Sequence, residues 1–320
     1  LTNLPDDPPV NFPGEAISAE QLRYALTVSK PVAKDYNAHL MGTHSNLISD
    51  SALVQETFEL LREQGGRATL TQVLDEVFRL SHVDAALAAS LVGDLVRNDP
   101  RFRLEPPHLA IIDDPNEQLP LKAIDFVVLD VEAIGAKGLP ARIIELGAYH
   151  VREGKIIDEF QSLVNPSVPL PRFITALTGI SDEMLKGAPP FAEIVDAWLD
   201  FAGDAVLVAH NSNFDLDLLN REVARVFPGC RMRNAELCTV KLARRVISTL
   251  HSHSLDALAD HFGLEMLARH RAASDARATA ELLLRLLEQL DANGVRTLVE
   301  ARSFRSKPEA LNAIQLALDV

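Results

Sequence analysis

Cysteine is nearly missing from this chain. Cys230 and Cys238 are the only two in 320 residues, too few for a disulfide framework and without the spacing of metal ligands. That scarcity suits a reducing compartment, so a cytoplasmic setting is expected. Long apolar runs are missing too: none approaches the roughly 18 residues of a membrane span, and no membrane is expected among the partners. The opening stretch LTNLPDDPPV has neither a basic flank nor an apolar centre, so it does not read as a signal peptide. Position 1 is Leu rather than Met, as in a trimmed or partial product. Internal repeats and low-complexity segments are likewise absent from the sequence.

Positive charge is also in short supply. The 31 Lys and Arg face 45 Asp and Glu, a net charge of −14, which is a poor match to a polyanionic partner. The deficit is uneven. Acids outnumber bases 18 to 9 over residues 1–120, whereas bases outnumber acids 8 to 4 over residues 225–271. Any grip on phosphates is therefore expected from the second half. Divalent cations bound to an acidic site would offset part of the remainder.

The length allows one large domain and one small one. Residues 1–50, rich in Pro and Asp at the start, read as a partly disordered tail holding at most a short helix. Residues 51–114 carry three amphipathic helical patterns, SALVQETFELLREQGG, TLTQVLDEVFRL and VDAALAASLVGDLVRND, and then the alternating RFRLEPPHLAIID. That is the order of a small winged-helix-like domain. Its third helix, read as Val83–Asp99, has three acids against Arg97, so a protein-contact or orienting role is expected over DNA reading. Residues 115–123 read as a linker, 124–291 as the main domain and 292–320 as a C-terminal extension.

The main domain begins with the strand IDFVVLDVEAI. RIIELGAYHV and KIIDEFQSLV follow, joined by the turn Arg152-Glu153-Gly154-Lys155, and make three antiparallel neighbours. Helix is expected over roughly Pro171–Phe201, a buried strand over Ala205–His210, and mostly helix from Phe214 to Leu290. The pattern predicts an α/β layer fold, a mixed sheet flanked by helices.

Four acids and a histidine stand out against this frame. Asp130 and Glu132, two apart on a strand, share one face. Two carboxylates there are costly unless a cation binds between them, or unless the strand end simply frays into solvent. Asp215 lies at an expected helix start, either as a cap or, sharing a face with Leu218 and Leu219, turned towards the sheet. Asp217 falls on a solvated face. In ARHRAASDARATAELLL, Ser274 reads as an N-cap and Asp275 as the opening of a long helix whose apolar face holds Thr279, Leu282, Leu283 and Leu286. His270 precedes it in a segment free to swing. Taken singly, each residue has an ordinary explanation. Together they match phosphodiester hydrolysis, which two divalent ions about 3.5–4 Å apart can support and which hard carboxylate oxygens can hold in place. A histidine, titrating near neutrality, suits the transfer of the attacking water's proton.

The blocks LDVE (129–132), RIIELGA (142–148), VNP (164–166), LTGIS (177–181), VAHNSNFD (208–215), SLDALA (254–259) and HRAASDA (270–276) occur in that order. Together they make the chain from about Ile124 to Leu290 similar to the DEDD exonuclease superfamily, in its histidine-bearing subclass, which includes the proofreading subunit of bacterial replicative polymerases. The resemblance implies a ribonuclease-H-like fold and release of nucleoside 5′-monophosphates from a 3′ end. It implies Asp130, Glu132, Asp215 and Asp275 as ligands of two Mg²⁺ or Mn²⁺ ions and as catalytic acids, with His270 as general base. Two departures are visible. Ala133 stands where the family has Thr near the terminal nucleotide, and Cys238 stands where it frequently has Asp.

Lys241, Arg244 and Arg245 share i, i+3, i+4 spacing, with Arg231, Arg233, His251 and His253 near in sequence. They are candidate phosphate contacts, unless they form only a solvated face. Asn211 is a candidate neighbour of the terminal sugar, although a hydrogen-bonded turn at His210 and Asn211 explains both residues more simply. The expected partner is a single-stranded or frayed 3′ end of DNA in proofreading or repair, with RNA 3′ trimming as the alternative. A DNA polymerase or repair complex is the expected partner of the N-terminal domain. A non-catalytic nucleic-acid-binding scaffold is the rival of another kind. The terminal IQLALDV is similar to the Gln-Leu-x-Leu peptides that dock on sliding clamps, but lacks their aromatic anchor.

Overall fold

Strand periodicity of two and helix periodicity near 3.6 set which side of each element is apolar, and the layers follow from that. The computed structural model describes residues 46–97, 99–112, 114–135, 141–266 and 268–306. The N-terminal part holds β1 (Leu47–Ser49), α1 (Ala52–Glu63), β2 (Arg67–Thr69), α2 (Leu70–Glu76) and α3 (Ala85–Val96). The hairpin β3 (Phe102–Glu105) and β4 (His108–Ile111) follows. β2, β4 and β3 form a small antiparallel sheet. Leu61, Val73, Leu74, Val92 and Leu109 fill the core between it and the helices. A capping box joins Thr69 and Gln72 at the start of α2, and the Asp84 carboxylate accepts from the amides of Ala86 and Leu87 at the start of α3. Of the other acids near α3, Asp94 pairs with Arg97 and Asp99 with Arg101. Local bonding thus accounts for all three.

After α4 (Pro115–Gln118) come β5 (Phe126–Ile134), β6 (Arg142–Arg152) and β7 (Lys155–Leu163). They pair antiparallel in the expected order, and the β6–β7 turn places Glu153 and Gly154 at φ 51° and 74°, the left-handed pair of a tight hairpin. Helices α5 (Arg172–Thr178), α6 (Asp182–Lys186) and α7 (Phe191–Ala202) lead to β8 (Val206–Ala209) and α8 (Ser212–Val226). β9 (Cys230–Met232), β10 (Glu236–Cys238), α9 (Thr239–Val246), α10 (Leu255–Phe262), α11 (Ala272–Ala292) and α12 (Leu298–Ser303) complete the described part. The five-stranded sheet runs β10-β8-β5-β6-β7, with β8 parallel to both β5 and β10. Val127, Leu129 and Val131 point to α7 and α8, where Trp198, Leu199, Leu216 and Val223 wait. Phe126 and Val128 point the other way, to Leu242, Leu258, Leu282 and Leu283 of α9, α10 and α11. The mixed sheet flanked by helices is the architecture the sequence pattern predicts.

One mismatch in strand length positions the site. β8 ends at Ala209 and pairs with β5 only from Phe126 to Val128, while β5 runs on to Ile134. Beyond Val128 the β8-side edge of β5 is open. The gap is a notch at the carboxyl ends of two parallel strands, where such sheets offer room for ligands.

Several expectations need correction. Residues 47–49 of the expected tail form β1, antiparallel to β9, with Leu47 and Ile48 buried and the Asn46 side-chain amide donating to the Leu199 carbonyl at 2.9 Å. Three residues carry too little pattern to be read without a distant partner. β9 and β10, equally short, interrupt the stretch read as helical. The expected linker holds α4, capped by Asp114, and a 3-10 turn whose Leu121 amide donates to the Arg296 carbonyl at 2.6 Å. α12, in the expected extension, inserts Leu298 and Ala301 into the helical-side core, each fully buried. The tail before residue 46 and the IQLALDV segment lie outside the described residues.

Candidate active site

Asp130 and Glu132 follow Phe126 and Val128 by the strand period, so they emerge on the α11 side of β5, where strand pairing with β8 has already stopped. Asp215 enters from the other layer. It lies in the first turn of α8, 5% exposed, and its Oδ1 accepts from the Val131 amide of the open β5 edge at 3.3 Å. The notch explains how an α8 residue reaches acids on the opposite face. Leu218 and Leu219 are buried beside it and Asp217 is exposed, as the helical spacing predicts.

Asp275 comes from α11. The helix begins at Ala272, not at the expected Ser274 cap, so Asp275 lies within the first turn, 5% exposed. The Ser274 hydroxyl instead accepts from the Ala268 amide at 3.1 Å. One ligand atom each of Glu132, His270 and Asp275 lie within 4.8 Å of one another. His270, at φ 58°, is not free to swing: its amide donates to Asp275 Oδ2 at 3.1 Å. On one side of it Arg269 donates to both Asp275 oxygens at 3.0 Å, and on the other Arg271 donates to Glu145. The structure therefore gathers all five sequence candidates at one end of the notch.

Their electrostatics are those of an acidic cluster short of cations. Burial, then the charges of Asp215, Asp275 and Glu132, hold Asp130 well above the ordinary carboxylate range, with Arg269 opposing. Burial and the charges of Asp275, Glu145 and Asp215 push Glu132 up to about 7. Burial also pushes Asp215 up to about 7, against the Val131 hydrogen bond and its own amide. Oxygen-only acids, converging and under-compensated, fit hard divalent cations.

The secondary candidates divide. Lys241 and Arg245 line a cavity of about 240 Å³ beside Ser212, Asn213 and Cys238. Lys241 Nζ donates to Asn213 at 3.2 Å, while Arg245 is committed to the Arg302 carbonyl of α12. Arg244 is exposed and does not line that cavity, so the three do not form one free basic face. Arg233 pairs with Asp204 at 2.6 Å, and the His253 ring is bonded to the Ile247 carbonyl at 2.9 Å. Asn211 is exposed at φ 81° as the residue that starts α8, a conformation that Asn tolerates. The His210 ring is tied to Thr239 at 2.9 Å and to the His253 carbonyl at 3.1 Å, and burial pushes it down to about 4. It is a neutral brace for the turn.

Phe214 escaped the sequence reading, and Cys238 entered it only as a departure from the family pattern. Phe214, immediately before Asp215, is 57% exposed, and an exposed aromatic beside an acid was a legible signal. Cys238 is buried, which pushes its thiol up, but the amides of Lys241, Ser212 and Asn211 outweigh that and leave it below its usual value. The sulfur thus joins the starts of α8 and α9. A larger groove of about 430 Å³, lined by Leu121, Phe126, Leu284 and Leu287 among others, contains none of the five site residues.

Comparison with known proteins identifies the family. The exonuclease family profile (RNase_T) matches residues 127–283. DNA polymerase III PolC-type from Caldanaerobacter subterraneus subsp. tengcongensis is 40% identical over 185 residues, which are 58% of this chain and 13% of that protein. The chain therefore spans about an eighth of the PolC-type relatives it matches. DNA polymerase III subunit epsilon from Aquifex aeolicus is 39% identical over 165 residues, 52% of this chain and 81% of that protein. Among solved structures, the nuclease domain of 3′hExo, a DEDDh family member bound to rAMP, aligns at 21% identity and a TM-score of 0.46 over 53% of this chain and 94% of its own. With a mixed sheet flanked by helices, matching sequence blocks and more than four-fifths of the epsilon subunit covered, the chain belongs to the exonuclease (RNase_T) family, on a ribonuclease-H-like fold.

Proposed function

We propose that this chain is a metal-dependent 3′→5′ exonuclease that removes nucleoside 5′-monophosphates from DNA 3′ ends in proofreading or repair. The observation that carries the reading is the meeting of Asp215, from one side of the sheet, with Asp130, Glu132, Asp275 and His270 on the other. The relation to the epsilon and PolC-type proteins of DNA polymerase III supports DNA as substrate.

In this reading Asp130, Glu132, Asp215 and Asp275 hold two divalent ions, Mg²⁺ or Mn²⁺. Bound there, the ions would stabilise charge on the phosphoryl oxygens and on the departing 3′-oxygen. The chain's own groups do the rest. His270 takes a proton from the attacking water at an imidazole nitrogen while the water oxygen bonds to phosphorus. The phosphorus–O3′ bond breaks, the departing O3′ takes a proton from solvent water, and the shortened strand leaves with a 3′-hydroxyl beside the released nucleoside 5′-monophosphate. Phe214 offers a face on which a terminal base can stack. Lys241 and Asn211 flank the start of α8 as contacts for the strand. Arg244 and Arg245 are weaker candidates, since one stands apart and the other is already bonded.

The test compares matched DNA and RNA oligonucleotides with Mg²⁺, Mn²⁺ or EDTA, using the full chain and Asp215→Ala. Mononucleotide release that needs metal, favours DNA and disappears in the variant supports the reading. Preference for RNA moves the substrate to RNA 3′ ends. Binding without release, under every metal condition, would leave a non-catalytic scaffold.

A further inference from the structure

Glu145 is the acid of this region that the proposed metal set does not use. It lies on β6 directly opposite Glu132, and its side chain is 0% exposed. Among the described residues it meets four donor atoms. Oε1 accepts from Arg271 Nη2 at 2.8 Å and from Gln161 Nε2 at 3.3 Å. Oε2 accepts from Arg271 Nε at 3.0 Å and from the Ala272 amide at 2.9 Å. This is a two-pronged guanidinium–carboxylate pair, the most directional ion pair available to side chains. Arg271 follows His270 in sequence, and Ala272 is the first residue of α11.

A second observation points the same way. Two residues along β6, Gly147 lies opposite Asp130, and a Cβ there would come within 2.3 Å of the Ala273 nitrogen and 2.5 Å of the Ala272 carbonyl carbon. The first turn of α11 therefore rests on the strand itself, directly across from the acids of β5. Between these two anchors and Asp275, His270 keeps a left-handed backbone that a non-glycine residue adopts only when its surroundings hold it.

We infer that Glu145, through Arg271 and the Ala272 amide, is a positioning residue that sets His270 and the start of α11 against the acids of β5. The inference rests on the exonuclease reading for its catalytic consequence, but its structural core does not. A buried ion pair that only stabilised the fold would affect every property of the protein together. A positioning pair acts through His270, so its loss should vanish where His270 is already gone.

The experiment uses the full chain with Glu145→Gln, His270→Ala and the double substitution. Turnover and KM are measured on a single-stranded oligonucleotide, Mn²⁺ binding by calorimetry, and histidine ring signals by NMR. Glu145→Gln should lower kcat by up to about 10²-fold, the scale of an ångström-sized displacement of a catalytic group. KM and Mn²⁺ stoichiometry should hold, and the double variant should be no slower than His270→Ala. The His270 ring signals, identified by their loss in His270→Ala, should move while those of His210 stay. Unchanged kcat, fully additive losses, or an unmoved His270 signal would each overturn the inference. Arg271→Lys, which keeps the charge and loses the second prong, serves if Glu145→Gln does not fold, with the same expected pattern. Should the wild-type chain release no mononucleotide, the exonuclease reading falls, and the NMR comparison still decides the clamp.

Discussion

Asp275 is surrounded by donors before any metal arrives. Arg269 Nη1 lies 3.0 Å from each of its oxygens and the His270 amide 3.1 Å from one of them, while Arg269 also reaches Asp256 at 2.6 Å. The guanidinium thus partly fills the role of a cation in an acidic cluster and must share Asp275 with an incoming ion. Arg269→Ala is expected to tighten Mn²⁺ binding, measured by calorimetry, while lowering the thermal midpoint of the metal-free chain. Weaker binding in that variant would show that Arg269 orients Asp275 and does not compete for it. His270 allows a separate test. His270→Ala should slow mononucleotide release about 10²–10⁴-fold at neutral pH and leave the stoichiometry of Mn²⁺ unchanged. Loss of a bound ion would make the imidazole a ligand, which its closeness to Glu132 and Asp275 permits on distance alone.

Among the elements, the short β8 and the close seat of α11 on β6 decide most. Had β8 continued beyond Ala209, its backbone would occupy the β5 edge that the Asp215 carboxylate now uses through the Val131 amide. The seat of α11 depends on Gly147 having no side chain, because the atoms a Cβ would strike are helix backbone and cannot rotate away. Gly147→Ala should therefore destabilise the chain by about 1–3 kcal/mol, the usual cost of overpacking, and slow mononucleotide release because α11 carries Asp275. Urea unfolding reads the first effect directly. An unchanged midpoint would mean that α11 stands off from the strand in solution.

For the whole molecule, the acidic cluster sets a dependence on pH and metal. Glu132 and Asp215 titrate near 7 in the fold, and Asp130 above its ordinary range, mainly because burial disfavours their charge. In an unfolded chain the same groups titrate near roughly 4. Their contribution to stability is thus complete below about pH 4 and is lost as the pH climbs through the folded values. In EDTA the thermal midpoint should fall across that range, and saturating Mg²⁺ should remove most of the fall by binding the ionised form. A metal-free midpoint that rises towards pH 8 would contradict the electrostatic picture. The same whole-chain view revises the boundaries: β1 and α12 add Leu47, Leu298 and Ala301 to the cores of the larger domain. No helix among the described residues is long and apolar enough to cross a membrane.

How much of this was legible depends on the distance over which each cause acts. Local causes were readable: the alternation in β5, the turn at Glu153-Gly154, the helical spacing that buries Asp215 with Leu218 and Leu219, and the order of the motif blocks. The sequence places the start of α11 three residues late because Ser274 looks like a cap, whereas the helix begins at Ala272, whose amide is satisfied by Glu145, 127 positions earlier. β1 and β9, three residues each, acquire meaning only by pairing with one another. Arg245 looked like a free phosphate contact until α12 supplied a carbonyl for it. The sequence by itself determined which side chains are available and which face of its own element each one shares, since both follow from covalent geometry and short-range periodicity. Only the tertiary structure decided that Asp215 crosses the sheet at an open strand edge and that His270 is held between two ion pairs. Those facts depend on where strands stop and on which distant charges fold into reach.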